Sequence, residues 1–224
     1  TLSVLQNNPL LVKEPYPHIV IENALPTNIY EQLEKEWPRQ QLLDTDPFDD
    51  GVCYRLKADE MLKPEKVSKL WKEFTEYHTS MDFYNEVKTV FSEYIKYDNP
   101  SLGPRGWVEK SAHIWTDCQT VMHRPVPHKE DTSTGGEFQI YDSVDTVQDV
   151  DMKKGRQIFE HNLGGVVKTV PYKANTFVMF LNNSTKAIHG VTPRTNASVH
   201  RRSVNIIAEF SRASRSHMFT VNEK

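Results

Sequence analysis

A chain of 224 residues with 27 Lys and Arg against 30 Asp and Glu, a formal charge of −3, describes one domain with a radius of gyration of roughly 17 Å. That length buries well over half of the unfolded surface without a disulfide or metal staple, and the small acidic excess excludes a chain-wide basic footprint for nucleic acid. The apolar runs fall short of the ~20 residues that cross a bilayer, and the opening TLSVLQNNPLLVKEPYPH lacks a secretory pattern. Neither Cys53 nor Cys118 sits in a Cys-x-x-Cys, so the reading is cytoplasmic, with reduced thiols and no membrane partner.

The first half reads as helical. Pro26 and Thr27 open a segment in which Tyr30, Leu33 and Trp37 recur at helical spacing until Pro38 stops it, with Thr27 as the N-cap. Residues 38–62 hold Asp44, Asp46, Asp49 and Asp50 around Pro47 and Gly51, the composition of a solvated loop rather than a calcium cage. Val67, Leu70, Trp71 and Phe74 then form an i, i+3, i+4, i+7 stripe. A second stripe of Phe83, Val87, Val90, Phe91 and Tyr94 follows Ser80 as a cap. Both stripes read as core faces.

From Trp107 the period changes, and β-rich runs fall at 112–122, 136–141, 166–172, 176–182, 187–192 and 203–210. In the fourth run Phe177, Met179 and Leu181 alternate with Val178 and Phe180, so both faces are apolar, as in a strand between a barrel interior and a covering helix. Residues 142–165, with Asp142, Asp145, Asp149 and Asp151 before Lys153, Lys154 and Arg156, read equally as a lid over a substrate or as a disordered insertion. The prediction is an α+β fold in a single domain over 1–224. Residues 1–106 form mainly helical support, and 107–224 form a jelly-roll-like barrel.

The strongest chemical signal is His189-Gly190-Val191, followed by Arg201-Arg202-Ser203. On a strand Arg201 and Ser203 share a face, and a guanidinium beside a hydroxyl suits the carboxylate of a small acid. The alternative is a His capping a turn and an Arg on the surface. His128 and Glu130 likewise share a face of an extended strand. With His189 they would supply two imidazoles and a carboxylate, the donor set of a non-haem Fe(II) site. The alternative there is a solvated histidine leading into the Thr132-Ser133-Thr134-Gly135-Gly136 turn. His113 and Asp117 are a reserve pair, while His18, His78, His161 and His217 have no partner at ligand spacing.

Taken in order, Gly135-Gly136-Glu137-Phe138-Gln139-Ile140-Tyr141, the run 167–172 leading into Asn175-Thr176-Phe177-Val178-Met179-Phe180-Leu181-Asn182, His189-Gly190-Val191 and Arg201-x-Ser203 resemble the 2-oxoglutarate and Fe(II)-dependent oxygenase family. Residues 15–26 are similar to the opening of several members. The resemblance covers most of the chain and implies a double-stranded β-helix. It implies Fe(II) held with His189 as the distal histidine, and 2-oxoglutarate gripped at its C5 carboxylate by Arg201 with help from Ser203. Arg202 is the other candidate for that grip. The implied reaction consumes O2 and 2-oxoglutarate, releases succinate and CO2, and hydroxylates a primary substrate that no motif identifies.

The sequence departs from the family before the glycines, because His128 stands only seven residues ahead of Gly135. Either His128-x-Glu130 is a compressed ligand motif, with Glu130 or Asp131 as the carboxylate, or the iron-binding strand is lost, or the sequence lacks residues of the native gene. The second account makes the chain a catalytically silent relative that serves as a binding or regulatory module. A cupin-like isomerase or sugar-binding barrel would share the architecture without needing a keto acid.

Overall fold

The computed structural model describes residues 2–38, 44–45, 54–95, 111–116, 134–142, 164–181, 187–192 and 202–207. In chain order these form β1 (His18–Glu22), α1 (Thr27–Lys35), β2 (Asp44–Thr45), β3 (Tyr54–Lys57), α2 (Ala58–Met61), α3 (Lys69–His78), α4 (Met81–Val90), β4 (Ser111–Thr116), β5 (Phe138–Tyr141), β6 (Val166–Val170), β7 (Thr176–Phe180), β8 (His189–Val191) and β9 (Arg202–Ile207). The strands make three antiparallel sheets, β1-β7, β2-β3-β4-β9 and β6-β5-β8. Among the described residues they do not close into a barrel, and no helix is long and apolar enough to cross a membrane.

The two aromatic stripes fold largely as the sequence predicts, as α3 and α4, with Val67 ahead of the first helix and Phe91 and Tyr94 beyond the second. Ser68 caps α3 by accepting from the Trp71 N–H at 3.3 Å, and Ser80 caps α4 by accepting from the Phe83 N–H at 3.3 Å. Trp71, Phe74, Phe83, Val87 and Phe91 are buried in one cluster with Leu33 of α1. The Trp71 indole donates to the Leu33 carbonyl at 2.9 Å, and Trp37 meets its ring edge-on at 5.4 Å.

The front half differs from a purely helical reading. Thr27 is the first helical residue rather than the cap, and the helix ends at Lys35, leaving Trp37 just beyond it. The span expected as one loop over 38–62 contains β2, β3 and α2, because β3 finds its backbone partners far away in β4 (Leu56 opposite Ile114). β1 is a further strand that the helical reading omitted, satisfied by β7 with His18 opposite Phe180 and Glu22 opposite Thr176.

The β1-β7 ribbon stands between two cores, as the doubly apolar pattern of β7 implies. Ile19, Ile21, Phe177 and Leu181 pack with the helices, whereas Val178 is buried with Tyr16, Phe138, Ile140, Val170 and Ala187, with Val20 and Phe180 packed alongside. Asn175 ties the ribbon's turn end with φ 52°, a left-handed conformation Asn tolerates better than most residues. Its side chain accepts from the Leu25 N–H at 3.0 Å and donates to the Leu25 carbonyl at 2.8 Å, while its own carbonyl accepts from the Ala24 N–H at 3.0 Å.

Candidate functional site

The site forms where β5, β7 and β8 meet. Gly135 and Gly136 both take positive φ, 89° and 85°, a turn that side chains resist, and they deliver β5 alongside β8. The join is tied twice at the backbone: Gly136 N–H donates to Thr192 O at 3.0 Å, and Thr192 N–H to Glu137 O at 3.0 Å. The Thr192 hydroxyl also bonds the Glu137 carboxylate. His189 is thereby set opposite Ile140.

The His189 ring is half-buried against Phe180, with centroids 4.6 Å apart, and Phe138 at 5.5 Å. Its Nδ1 lies 2.8 Å from the Ala187 carbonyl. A carbonyl only accepts, so Nδ1 carries the proton and Nε2 presents its lone pair. Burial holds the pKa below the ordinary imidazole value, and the ring is neutral at physiological pH. A neutral imidazole oriented through a backbone carbonyl is the form that ligates a metal. Tyr16 braces the approach to β8 by donating its phenol to the Ile188 carbonyl at 3.1 Å, with its ring edge-on to Phe180 at 5.8 Å.

Of the two arginines, the structure describes Arg202, the first residue of β9. Arg202 lies on the face of Val204 and Ile206, which pack toward the helices, and its guanidinium sits over the Trp37 ring at 5.3 Å. Ser203 is buried and belongs to the opposite face by strand alternation. A Cβ at Gly190 would lie 3.4 Å from the Tyr141 ring, an ordinary contact.

His128, Glu130, Asp131, Asp117 and Arg201 lie outside the described residues, as does 143–163 of the expected lid. His113 is placed on β4 by its backbone, opposite Lys57 and Asn205. Among the described residues no group of three or more potential ligands is gathered. The sequence reading passed over His18, which is fully buried on β1 with Nδ1 2.8 Å from the Tyr16 carbonyl. The local signal for it was the alternation His18, Val20 against Ile19, Ile21, the mark of a strand with two buried faces.

No protein-family model and no curated protein matches this chain. Among solved structures it is similar to a prolyl-4-hydroxylase from Pseudomonas putida, with 14% identity over 86% of this chain and 92% of that one and a TM-score of 0.45.

Proposed function

We propose that the chain is a 2-oxoglutarate- and Fe(II)-dependent oxygenase, a single domain over 1–224 whose sheets belong to a double-stranded β-helix. The observation that carries the reading is His189. The ring is neutral, held through Nδ1–H on a carbonyl, and directs Nε2 away from that anchor, beside strands whose sequences resemble the family's. The described donor fits the iron, and His128 and Glu130 are proposed as the remaining ligands. Fe(II) with 2-oxoglutarate and O2 would supply the oxidative chemistry there, one oxygen atom going into succinate as CO2 leaves and the other into the hydroxyl of the primary substrate.

The residues divide the remaining work. Arg201 is proposed to grip the far carboxylate of 2-oxoglutarate. A β9 continued one residue back would carry it on the Ser203 side, while Arg202 is engaged with Trp37 on the other. Phe138 and Phe180 fix the plane of the His189 ring and exclude water from it. A cytoplasmic setting accords with two cysteines in 224 residues.

The test is an anaerobic titration of the purified chain with Fe(II) and 2-oxoglutarate. A weak visible charge-transfer band, lost in His189→Ala, is the expected result. A wild-type chain that binds neither metal nor keto acid overturns the reading in favour of a silent relative.

A further inference from the structure

The proposed activity gives no task to Lys168. Lys168 of β6 stands opposite Ile140 of β5, and Ile140 stands opposite His189 of β8. Directly opposed residues share a face, so Lys168 and His189 flank Ile140 in one row, two interstrand spacings or roughly 10 Å apart at the backbone. Lys168 is half-buried and makes no hydrogen bond or ion pair with the described residues. An ammonium drawn partly out of water without a counter-charge is stabilised by an anion.

A second group approaches from the facing ribbon. His18 stands opposite Phe180, whose ring lies 4.6 Å from that of His189. It is 1% exposed, and its Nδ1–H is committed to the Tyr16 carbonyl, yet its Nε2 has no hydrogen-bond partner among the described residues. A buried acceptor left unpaired has lost its water without gaining a donor in exchange, which is unfavourable. Burial, and the charge of Lys168 nearby, hold this imidazole below its ordinary pKa, so Nε2 stays a lone pair that calls for a donor.

We infer that Lys168 and His18 form the recognition end of the His189 site, for a primary substrate with a carboxylate and an O–H or N–H donor on the adjacent carbon: an α-hydroxy or α-amino acid. The carboxylate pairs with the Lys168 ammonium, and the neighbouring donor bonds His18 Nε2. The aliphatic remainder lies along Ile140 and Phe180 toward His189. Such a ligand satisfies both groups at once, which acetate or a neutral alcohol does not. The direction of the reacting carbon rests on the oxygenase reading; the binding does not.

The test uses the full chain, free of iron and 2-oxoglutarate, at pH 7.5, with the histidine ring resonances followed by NMR. The probes are glycolate, acetate, which lacks the donor, and glycolamide, which lacks the charge. Glycolate is expected to saturate at a concentration at least tenfold below either analogue and to shift His18 Nε2. Lys168→Met should abolish its advantage over glycolamide, and His18→Leu, which has no acceptor, its advantage over acetate. Lys168 is partly exposed, so its variant keeps the test decisive if His18→Leu does not fold. Equal binding of glycolate and acetate, or glycolate binding unchanged in Lys168→Met, overturns the inference. A chain that binds glycolate as described but fails the anaerobic titration loses the oxygenase reading alone. One that passes the titration without binding glycolate loses this inference alone.

Discussion

Acid should loosen this fold through His78. The residue is fully buried on α3 between Phe74 and Phe83, with ring centroids at 4.1 and 4.6 Å. Its Nδ1–H donates to the Phe74 carbonyl at 2.8 Å, and its Nε2 accepts from the Val4 N–H at 3.3 Å. Burial lowers its pKa from 6.5 to about 4. Between those values the unfolded chain binds the proton and the folded chain does not. The stability is therefore complete above pH 6.5, declines as the pH falls, and loses nothing further from this group below about 4. The shift corresponds to roughly 3 kcal/mol in full, and about 2 kcal/mol of it is gone by pH 5. Urea unfolding of the wild type and His78→Gln at pH 7.5, 6 and 5 isolates the effect, because His18 and His189, also lowered, titrate in both proteins. The wild type's stability relative to the variant should shrink by about 2 kcal/mol between pH 7.5 and 5. A difference that stays constant across that range would refute the assignment, and with it the acceptor role given to Nε2.

Asn175→Ala removes two side-chain hydrogen bonds and puts a less tolerant residue at φ 52°, so it should cost about 2–3 kcal/mol in urea unfolding. Asn175→Gly, which keeps the backbone freedom, should cost less. Arg202→Met should leave the 2-oxoglutarate KM within about twofold and lose at most ~1 kcal/mol of stability by release from Trp37, whereas Arg201→Met should raise that KM by tenfold or more. The reverse order in steady-state assays would reassign the carboxylate grip. Glu130→Ala should abolish uncoupled succinate formation while leaving the circular dichroism unchanged; retained iron-dependent turnover removes Glu130 from the ligand set.

Elements whose apolar pattern is plain within their own segment were legible in the sequence. α3 and α4 show because their apolar stripes repeat within one helix, and for α4 also because Ser80 closes the first turn. β7 shows because its two apolar faces alternate over five residues. β1 and β3 escaped because their backbone bonds are supplied by strands distant in sequence, which no window around them contains. The candidate site follows the same division: the sequence offers His189 and Ser203 by motif, whereas the contact of Arg202 with Trp37, which bears on the proposed choice of Arg201, exists only in the folded chain. His18 looked ordinary because its interest lies in an unpaired nitrogen, a property of the fold around it rather than of its neighbours in sequence.

The two-sided apolar ribbon carries a hazard for the folding chain. Where only one face of a strand is greasy, sliding by a residue turns the greasy side outward and the error is rejected; where both are, a slipped pairing still buries oil against oil. Alignment of β1 on β7 must then be decided by groups at the ribbon's ends. Asn175 with Ala24 and Leu25 stands at one, and the Leu181 N–H bonded to the Pro17 carbonyl at 3.2 Å at the other. These act as pawls on a ratchet, and a chain that lacks them can settle one notch away, with His18 turned to the opposite face of the ribbon.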